Sequence, residues 1–397
     1  MSLSLPMRTM HPSLSADLNL PAPLEPRERM PVNEPCWCGS GKKWKKCHRD
    51  RDKQQPVFIG KMMADHQAEM WKGYCLHPQA SSTNCSETVI RAHTVQREGG
   101  LAAIAEHGHV MSPKRGLNDI IKNDGEIVPR LQGINDASTF MGFCRSHDDQ
   151  LFAPIEKAPL VLCKESVCLL SFRAICYELH MKTAALRAIE IQRDGDKGDS
   201  FEVQCQKQNY LHYMREGFRR GLADLGGWKK SYDTALLSGN YDNFSFFGVT
   251  FTEALPIVAC GAFLPQFDFT GRSLQIITRG NHPFDHISFN LTVVNGKSVA
   301  VFGWTGSPQG PAEQFIESFR ALPRNTMANA VFHIACEYLE NTYLRPSWWD
   351  VRADTAKEYI IKRFRSGLPS MERTRDCLSR LDYCFSTSSV EFELGSS

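Results

Sequence analysis

The segment from Pro35 to His48, PCWCGSGKKWKKCH, constrains the fold more than any other part of the chain. Two cysteines one residue apart, Cys36 and Cys38, are followed after eight residues by the adjacent pair Cys47 and His48. Three thiols and an imidazole are a tetrahedral donor set that a structural zinc ion prefers. A segment this short has no apolar core, so the free energy of metal binding would fold it. The spacing therefore predicts a closed zinc knot.

A phosphate-binding loop is excluded for the same segment. Such a loop needs a glycine five positions before a Gly-Lys pair and a serine or threonine after the lysine. Here Cys36 stands where the first glycine would be, and Lys43 follows Lys42. The glycines at 39 and 41 instead supply the tight backbone that brings the two halves of the knot together. The remaining alternative is a basic tail with free thiols.

The same string resembles the SEC-C motif, the zinc-binding tail of the SecA preprotein translocase motor, which also occurs as an accessory module on unrelated bacterial proteins. The resemblance covers residues 33–50. It implies that Cys36, Cys38, Cys47 and His48 bind zinc and that the chain is bacterial. In SecA the module contacts a partner chaperone, so the resemblance also implies a docking role and a protein partner.

Charge and cysteine use restrict the class of protein. The 397-residue chain has a formal net charge of only +2, so bulk charge indicates no partner. Between Lys42 and Lys53, however, seven basic residues stand with two acidic ones, which suits nucleic acid, an acidic protein or simply a solvated face. The chain has fourteen cysteines, and its sequence shows neither a signal-peptide pattern nor an apolar run long enough to span a membrane. These features predict a reducing, cytoplasmic compartment in which the thiols bind metal.

A second group of cysteines and histidines follows the knot. Cys75 and Cys85 precede the strand-like segment ETVIRAHTV, and GFCRSHDD then supplies Cys144-x-x-His147. This is the order of a treble-clef zinc site: two ligands, a strand, a long insertion, and a C-x-x-H pair that leads into a helix. The nine-residue link between the first two cysteines is long for such a site, which leaves His77 as an alternative ligand. Unlinked thiols in a loop-rich region are the other alternative.

This order is similar to that of zinc-stapled HNH endonucleases, which have a ββα-metal fold. The resemblance covers residues 75–152. It implies that His93, at the end of the first strand, is a general base, and that Asp148 binds a catalytic Mg²⁺ or Mn²⁺. The asparagine that orients the base in that family has no counterpart, because its position falls near Ser138 or Thr139.

Hydrophobic periodicity predicts a multidomain α+β protein. Long amphipathic helices follow Leu160, and alternating strands come after them. The Asn295-Gly296 pair between two of these strands predicts a hairpin. The expected domains are a disordered leader (1–32), the SEC-C zinc motif (33–52), a treble-clef, HNH-like zinc domain (58–158) and an α+β domain of unknown task with an antiparallel sheet (160–397).

The segment NHPFDH in the C-terminal half is the one further polar cluster. It holds His282, Asp285 and His286. Its composition is more typical of a turn before a strand than of a catalytic group. No catalytic motif is expected in this half of the chain.

Two function classes follow from these features. The first is a metal-dependent nuclease acting on foreign nucleic acid, with His93 and Asp148 in its site. The second is a non-enzymatic adaptor in which two zinc ions are structural and the SEC-C motif docks a partner. The order of His93 and Asp148 favours the nuclease, whereas the absent asparagine and the modest net charge favour the adaptor.

Overall fold

A computed structural model describes residues 21–86, 88–113, 123, 126–157, 160–277, 284–366, 378, 385 and 390–396. The fold mixes helices with antiparallel sheets. The helices are α1 (Ile59–Met70), α2 (Ala102–Ile104), α3 (Arg145–Leu151), α4 (Ala153–Glu156), α5 (Lys164–Gln192), α6 (Phe201–Ser238), α7 (Pro311–Arg320), α8 (Met327–Tyr338), α9 (Pro346–Asp350) and α10 (Asp354–Ser366). The strands are β1 (Val89–His93), β2 (His109–Pro113), β3 (Pro129–Gly133), β4 (Thr139–Cys144), β5 (Phe244–Phe251), β6 (Ile257–Phe263), β7 (Ile287–Val294), β8 (Lys297–Thr305), β9 (Thr342–Leu344) and β10 (Val390–Ser396). Short 3-10 turns cover Trp44–Lys46, Arg51–Lys53, Arg193–Asp196 and Arg324–Thr326, and a π-helical turn covers Arg97–Leu101.

The chain divides into two compact units. The first comprises residues 1–69, 185–221 and 276–282, and the second comprises residues 70–184, 222–275 and 283–397. The first unit therefore contains the knot, nearly all of α1, the last residues of α5 and the first half of α6. The second unit contains both sheets.

The larger sheet of the second unit has eight strands in the order β10-β5-β8-β7-β6-β9-β2-β3, and all neighbours are antiparallel. The β7–β8 hairpin turns at Asn295 and Gly296, whose φ angles are 50° and 76°. This left-handed pair is the turn that an Asn-Gly dipeptide favours between twisted strands. The predicted hairpin is present.

Both faces of this sheet are buried, because alternate residues of one strand enter different apolar clusters. In β8, Val301 packs with Phe172 and Ile175 of α5, whereas Phe302 packs with Phe315 and Phe319 of α7. The ring centroids of Phe302 and Phe319 are 5.1 Å apart. Helices thus cover the sheet on both faces, which explains why its strands are apolar at nearly every position.

The smaller sheet pairs β1 with β4, in antiparallel register with His93 opposite Thr139. Helix α3 begins at Arg145, directly after β4 ends at Cys144. Strands β2 and β3 lie between β1 and β4 in the sequence and join the eight-stranded sheet instead. Two strands and a following helix therefore frame the second group of candidate ligands.

The long helices and strands agree with the sequence patterns, and two segments differ. The apolar segment LQIIT (274–278) has the pattern of a strand, but its described residues 274–277 form none. The helical pattern NAVFHIACEYLENTYL ends early, because β9 (Thr342–Leu344) pairs with β6 and β2. Residues 1–20 of the predicted leader lie outside the described residues. Across the part of the chain that the structure describes, no helix combines the length and apolar character needed to cross a membrane.

Candidate metal centres

The knot is shaped by its own backbone. The Cys36 N–H donates to the Lys42 carbonyl (2.8 Å), and the Gly39 N–H donates to the Cys36 carbonyl (3.1 Å). Gly39 and Gly41 have φ angles of 71° and 74°, a left-handed conformation that side chains disfavour. The chain therefore reverses between Cys38 and Lys42, as the Gly-Ser-Gly string predicts. A 3-10 turn at Trp44–Lys46 then returns Cys47 to the first cysteines.

The four predicted side chains of the knot converge. Their donor atoms all lie within 4.8 Å of one another, and all four residues are buried. His48 Nδ1 is 3.3 Å from Cys36 Sγ and 3.2 Å from Cys47 Sγ, and the Sγ atoms of Cys38 and Cys47 are 3.6 Å apart. A tetrahedral zinc ion would place sulfur and nitrogen donors about 3.5 Å apart and two sulfurs about 3.8 Å apart. The donor set and its spacing fit such an ion.

Electrostatics inside the knot favour a thiolate. Hydrogen bonds from the thiols of Cys36 and Cys47 lower the pKa of Cys38. A thiolate is the form of cysteine that binds metal. The hydrogen bonds with Cys38 and Cys47 raise the pKa of Cys36 in turn, so the electrostatics favour a thiolate at Cys38 and a thiol at Cys36.

The ring of His48 is held from its other side. His48 Nε2 donates a hydrogen bond of 2.9 Å to Asp196 Oδ2, with both side chains buried. Burial would raise the pKa of the Asp196 carboxyl, but the His48 hydrogen bond and the Arg51 charge bring that pKa below its ordinary value. Asp196 is 148 residues from His48 in the chain, so spacing within the motif could not reveal it. The RDGD turn (193–196) is visible in the sequence as a polar connection between two long helices, but its residues do not indicate a contact with His48.

The second predicted group converges as well. Cys75, Cys85, Cys144 and His147 place their donor atoms within 4.8 Å of one another. His147 Nδ1 is 3.4 Å from Cys75 Sγ, 3.7 Å from Cys85 Sγ and 3.3 Å from Cys144 Sγ. These separations also suit a tetrahedral site. The long link between the first two cysteines does not keep them apart.

Backbone contacts place the first of these cysteines. The Tyr74 N–H donates to the Met141 carbonyl (3.1 Å) and the Leu76 N–H to the Gly142 carbonyl (2.8 Å), so Cys75 runs beside β4. Burial raises the pKa of Cys144, but hydrogen bonds from the His147 backbone and from Ser86 outweigh it and lower the pKa to about 7. A thiolate is thus accessible at neutral pH.

His77 lies outside this set of four donors. Its ring stacks on the His147 ring at a centroid distance of 3.9 Å, and its Nδ1 accepts a hydrogen bond from the Gln79 N–H (3.1 Å). Burial lowers the pKa of His77 to about 4, so the imidazole is neutral. The alternative in which His77 replaces a cysteine is not the arrangement seen.

His93 ends β1, as predicted, and is half-buried. Its Nε2 lies 3.1 Å from the Ile134 carbonyl, which can only accept a hydrogen bond, so Nε2 carries the proton and Nδ1 has a free lone pair. Burial lowers the pKa of His93 below its ordinary value. A neutral imidazole with an unprotonated Nδ1 has the form of a general base.

Asp148 lies in the first turn of α3 and is buried at 8% exposure. Burial raises the pKa of its carboxyl to about 6, and the nearby Arg173 guanidinium opposes that rise. Arg173 is itself buried, pairs with Glu156 at 2.7 Å and stacks on the Phe152 ring at 3.7 Å. The Glu156 and Asp149 carboxylates also act on Asp148 and raise its pKa. Among the described residues, Asp148 belongs to neither of the two groups of side chains that could together hold a metal ion, so its role as a ligand for a catalytic Mg²⁺ or Mn²⁺ stays a prediction.

The polar cluster in NHPFDH does not form a site among the described residues. Asp285 accepts a hydrogen bond from the Ala312 N–H (3.2 Å) at the start of α7. His286 is fully buried beside β7 and stacks on Trp228 at a centroid distance of 4.3 Å. His282 lies outside the described residues. The described part of this segment, residues 284–286, is irregular chain directly before β7.

Comparison with known proteins supports one part of the chain. Residues 33–50 match the family model described as the SEC-C motif. No curated protein and no solved structure matches the chain. The SEC-C motif and the two Cys/His clusters together indicate zinc binding. The resemblance of residues 75–152 to HNH endonucleases stays a prediction.

Proposed function

We propose that this protein is a zinc-stabilised adaptor that docks an acidic protein partner through the lysines of its SEC-C knot. In this proposal one zinc ion is held by Cys36, Cys38, Cys47 and His48, and a second by Cys75, Cys85, Cys144 and His147. The proposal rests on the difference in solvent exposure between the metal donors and the lysines of the knot. The four donors are buried, whereas Lys42, Lys43, Lys45 and Lys46 are all exposed.

The lysines are available to a partner. Among the described residues, no hydrogen bond or ion pair is made by the side chains of these four lysines, whereas neighbouring Arg49 pairs with Asp50 at 3.4 Å. The first unit carries 19 basic and 14 acidic residues, a formal charge of +5 in a chain of +2. An uncompensated cationic surface on a rigid support attracts and orients an anionic partner.

A purely structural role for the metal follows from the donor count. Four protein donors complete a tetrahedral zinc ion and leave no position for substrate or water. Zinc would therefore hold the lysines in place and take no part in chemistry. Among the described residues, Asp148 belongs to no group of possible metal ligands, which likewise favours the adaptor over a metal-dependent nuclease.

The test replaces Lys42, Lys43, Lys45 and Lys46 together. The glutamine variant removes the charge, and the matched arginine variant keeps it. Binding of a labelled poly-glutamate peptide and of duplex DNA is measured by fluorescence anisotropy over a salt series. Each exposed ion pair contributes about 0.2–1 kcal/mol, so four of them contribute about 1–4 kcal/mol. The glutamine variant should therefore bind the peptide about 4- to 800-fold more weakly, and the arginine variant should bind it normally.

Two results would contradict the proposal. One is unchanged peptide binding by the glutamine variant at equal zinc content. The other is tight, salt-dependent binding of duplex DNA with no binding of the peptide, which would assign the lysines to nucleic acid.

A metal-dependent nuclease is the second candidate, and the tautomer of His93 favours it. An imidazole with a free Nδ1 at the end of β1 can take a proton from water. Plasmid DNA and structured RNA are incubated with the full chain, with and without Mg²⁺ or Mn²⁺. His93→Ala should reduce cleavage by on the order of 10² to 10⁴ while zinc content stays the same. Equal cleavage by this variant, or none by the wild type, rejects the nuclease.

A further inference from the structure

The zinc knot is surrounded by a buried polar network that lies outside its motif. The SEC-C match ends at residue 50, and the network is formed by Arg51, Arg193, Asp196 and Gln208. All four side chains are at most 5% exposed. Arg193 and Asp196 form the turn between α5 and α6, and Gln208 lies on α6.

Asp196 is the centre of this network. Its Oδ2 accepts hydrogen bonds from His48 Nε2 (2.9 Å) and Gln208 Nε2 (2.7 Å), and its Oδ1 accepts one from Arg51 Nε (2.7 Å). Both carboxylate oxygens are thus satisfied by donors, one of which is the ring of a candidate ligand. A buried carboxylate at 1% exposure needs such partners, because an unpaired one would be strongly destabilising.

The network also touches the knot backbone. Arg193 Nη1 donates to the Cys38 carbonyl (2.9 Å) and to Gln208 Oε1 (2.7 Å). Arg51 Nη2 donates to the Arg193 carbonyl (2.8 Å). Side chains of the turn between α5 and α6 therefore contact the knot at two places, the Cys38 carbonyl and the His48 ring.

We propose that Asp196 is a positioning residue for the knot metal, which fixes the His48 ring so that Nδ1 faces the three thiols. A hydrogen bond to the far nitrogen of a metal-binding histidine sets its tautomer and orientation and makes it a better donor. Zinc with three thiolates carries one net negative charge, and the adjacent Asp196 would repel it. The Arg51 guanidinium compensates that carboxylate, which explains why both are buried together.

The inference rests on the proposed zinc in the knot. The full-length chain is loaded with Zn²⁺, and its affinity is measured by competition with a chelator of known affinity. Asp196→Asn keeps the shape of the side chain and removes its charge. It should lower the zinc affinity of the knot by about 10- to 100-fold.

A matched control lies in the same turn. Asp194 pairs with Arg51 at 3.2 Å and with Lys197 at 2.9 Å and makes no contact with His48. Asp194→Asn therefore disturbs Arg51 and the turn without touching the ligand. It should change the zinc affinity much less than Asp196→Asn does, and an equal loss in both variants overturns the inference.

A double-mutant cycle shows whether the effect passes through the imidazole. His48→Cys gives the knot a four-cysteine set, which is also a zinc-binding set. In that background Asp196→Asn should leave the affinity unchanged or raise it, since a thiolate gains nothing from a neighbouring carboxylate. The same 10- to 100-fold loss in both backgrounds would mean that Asp196 acts only on the fold, and the inference would be rejected.

One measurement needs no variant. In zinc-loaded wild-type protein, the Nε2–H of His48 should exchange slowly with solvent in nitrogen-edited NMR spectra, because it is buried against Asp196. Fast exchange overturns the inference. A wild-type knot that binds no zinc overturns this inference and the proposed zinc alike, whereas failure of Asp196→Asn alone leaves the proposed function standing.

Discussion

The buried imidazole of His286 should make the stability of the second unit depend on pH. His286 has no exposed surface, lies 3.1 Å from the Tyr232 hydroxyl through Nε2 and stacks on Trp228. Burial lowers its pKa from 6.5 to about 3. Between these two values the unfolded chain binds a proton that the folded chain does not. The free energy of unfolding is therefore highest above pH 6.5 and falls as the pH drops toward 3.

The size of the effect follows from the pKa difference. At pH 5 the unfolded His286 is almost fully protonated and the folded one is neutral, which gives about 1.5 pH units at 1.36 kcal/mol each, or about 2 kcal/mol. At pH 7.5 the contribution is close to zero. His286→Gln removes the titrating group, so the loss of stability between pH 7.5 and 5 should be about 2 kcal/mol smaller in this variant.

Urea unfolding at each pH, followed by tryptophan fluorescence, measures this difference, and Trp228 provides a probe at the site. Loss of metal at low pH should affect wild type and variant equally and cancel from the comparison. His109→Gln, at an exposed position on β2, controls for the removal of an imidazole. Identical pH dependence in wild type and His286→Gln would show that His286 is accessible to protons in the folded state, and the structural role assigned to it would be wrong.

Further predictions concern the metals and the packing of the sheet. Wild-type protein should contain about two equivalents of zinc by elemental analysis, and Cys47→Ser and Cys144→Ser should each lose about one; retention of both equivalents would contradict the assignment. A side chain at position 303 would meet the Ser171 hydroxyl and come within 2.7 Å of the Phe244 ring, so Gly303→Ala should cost about 1–3 kcal/mol in urea unfolding. Gly226→Ala, on α6 with nothing within 4 Å, is its matched control and should stabilise the protein by about 0.5–1 kcal/mol.

The sequence predicts the four candidate ligands of the knot well because their signal is local. Cysteines and a histidine at short spacings beside a tight turn have few alternative uses in a coreless segment, and the four side chains converge. The Asn295-Gly296 hairpin is predictable for the same reason, since the turn type follows from two residues. Neither feature depends on where the rest of the chain goes, whereas the second set of ligands comes together across the pairing of β1 with β4.

Strand β9 is not predicted by its own residues, because it forms through pairing with distant strands. The three-residue strand β9 pairs through Leu344 with Ile257 of β6 and Met111 of β2. Its residues continue a helical pattern, and only these pairings make them a strand. Asp196 was missed for a related reason, because a polar turn carries no mark of the histidine that it will contact.

The surroundings of the two metal centres give them different structural tasks. In the second cluster, Cys75 and Cys85 come from an irregular segment in which Leu76 is the buried apolar side chain, whereas Cys144 and His147 lie at the junction of β4 and α3. A metal ion there would join the weakly packed residues 75–86 to the well-packed end of β4. Loss of the metal should therefore loosen residues 75–86 before it affects the eight-stranded sheet. In the knot, by contrast, the donors, Asp196 and Arg51 are all buried in one network. Removing that metal would leave a carboxylate and a guanidinium buried around a displaced imidazole, and the turn between α5 and α6 would lose its support together with the knot.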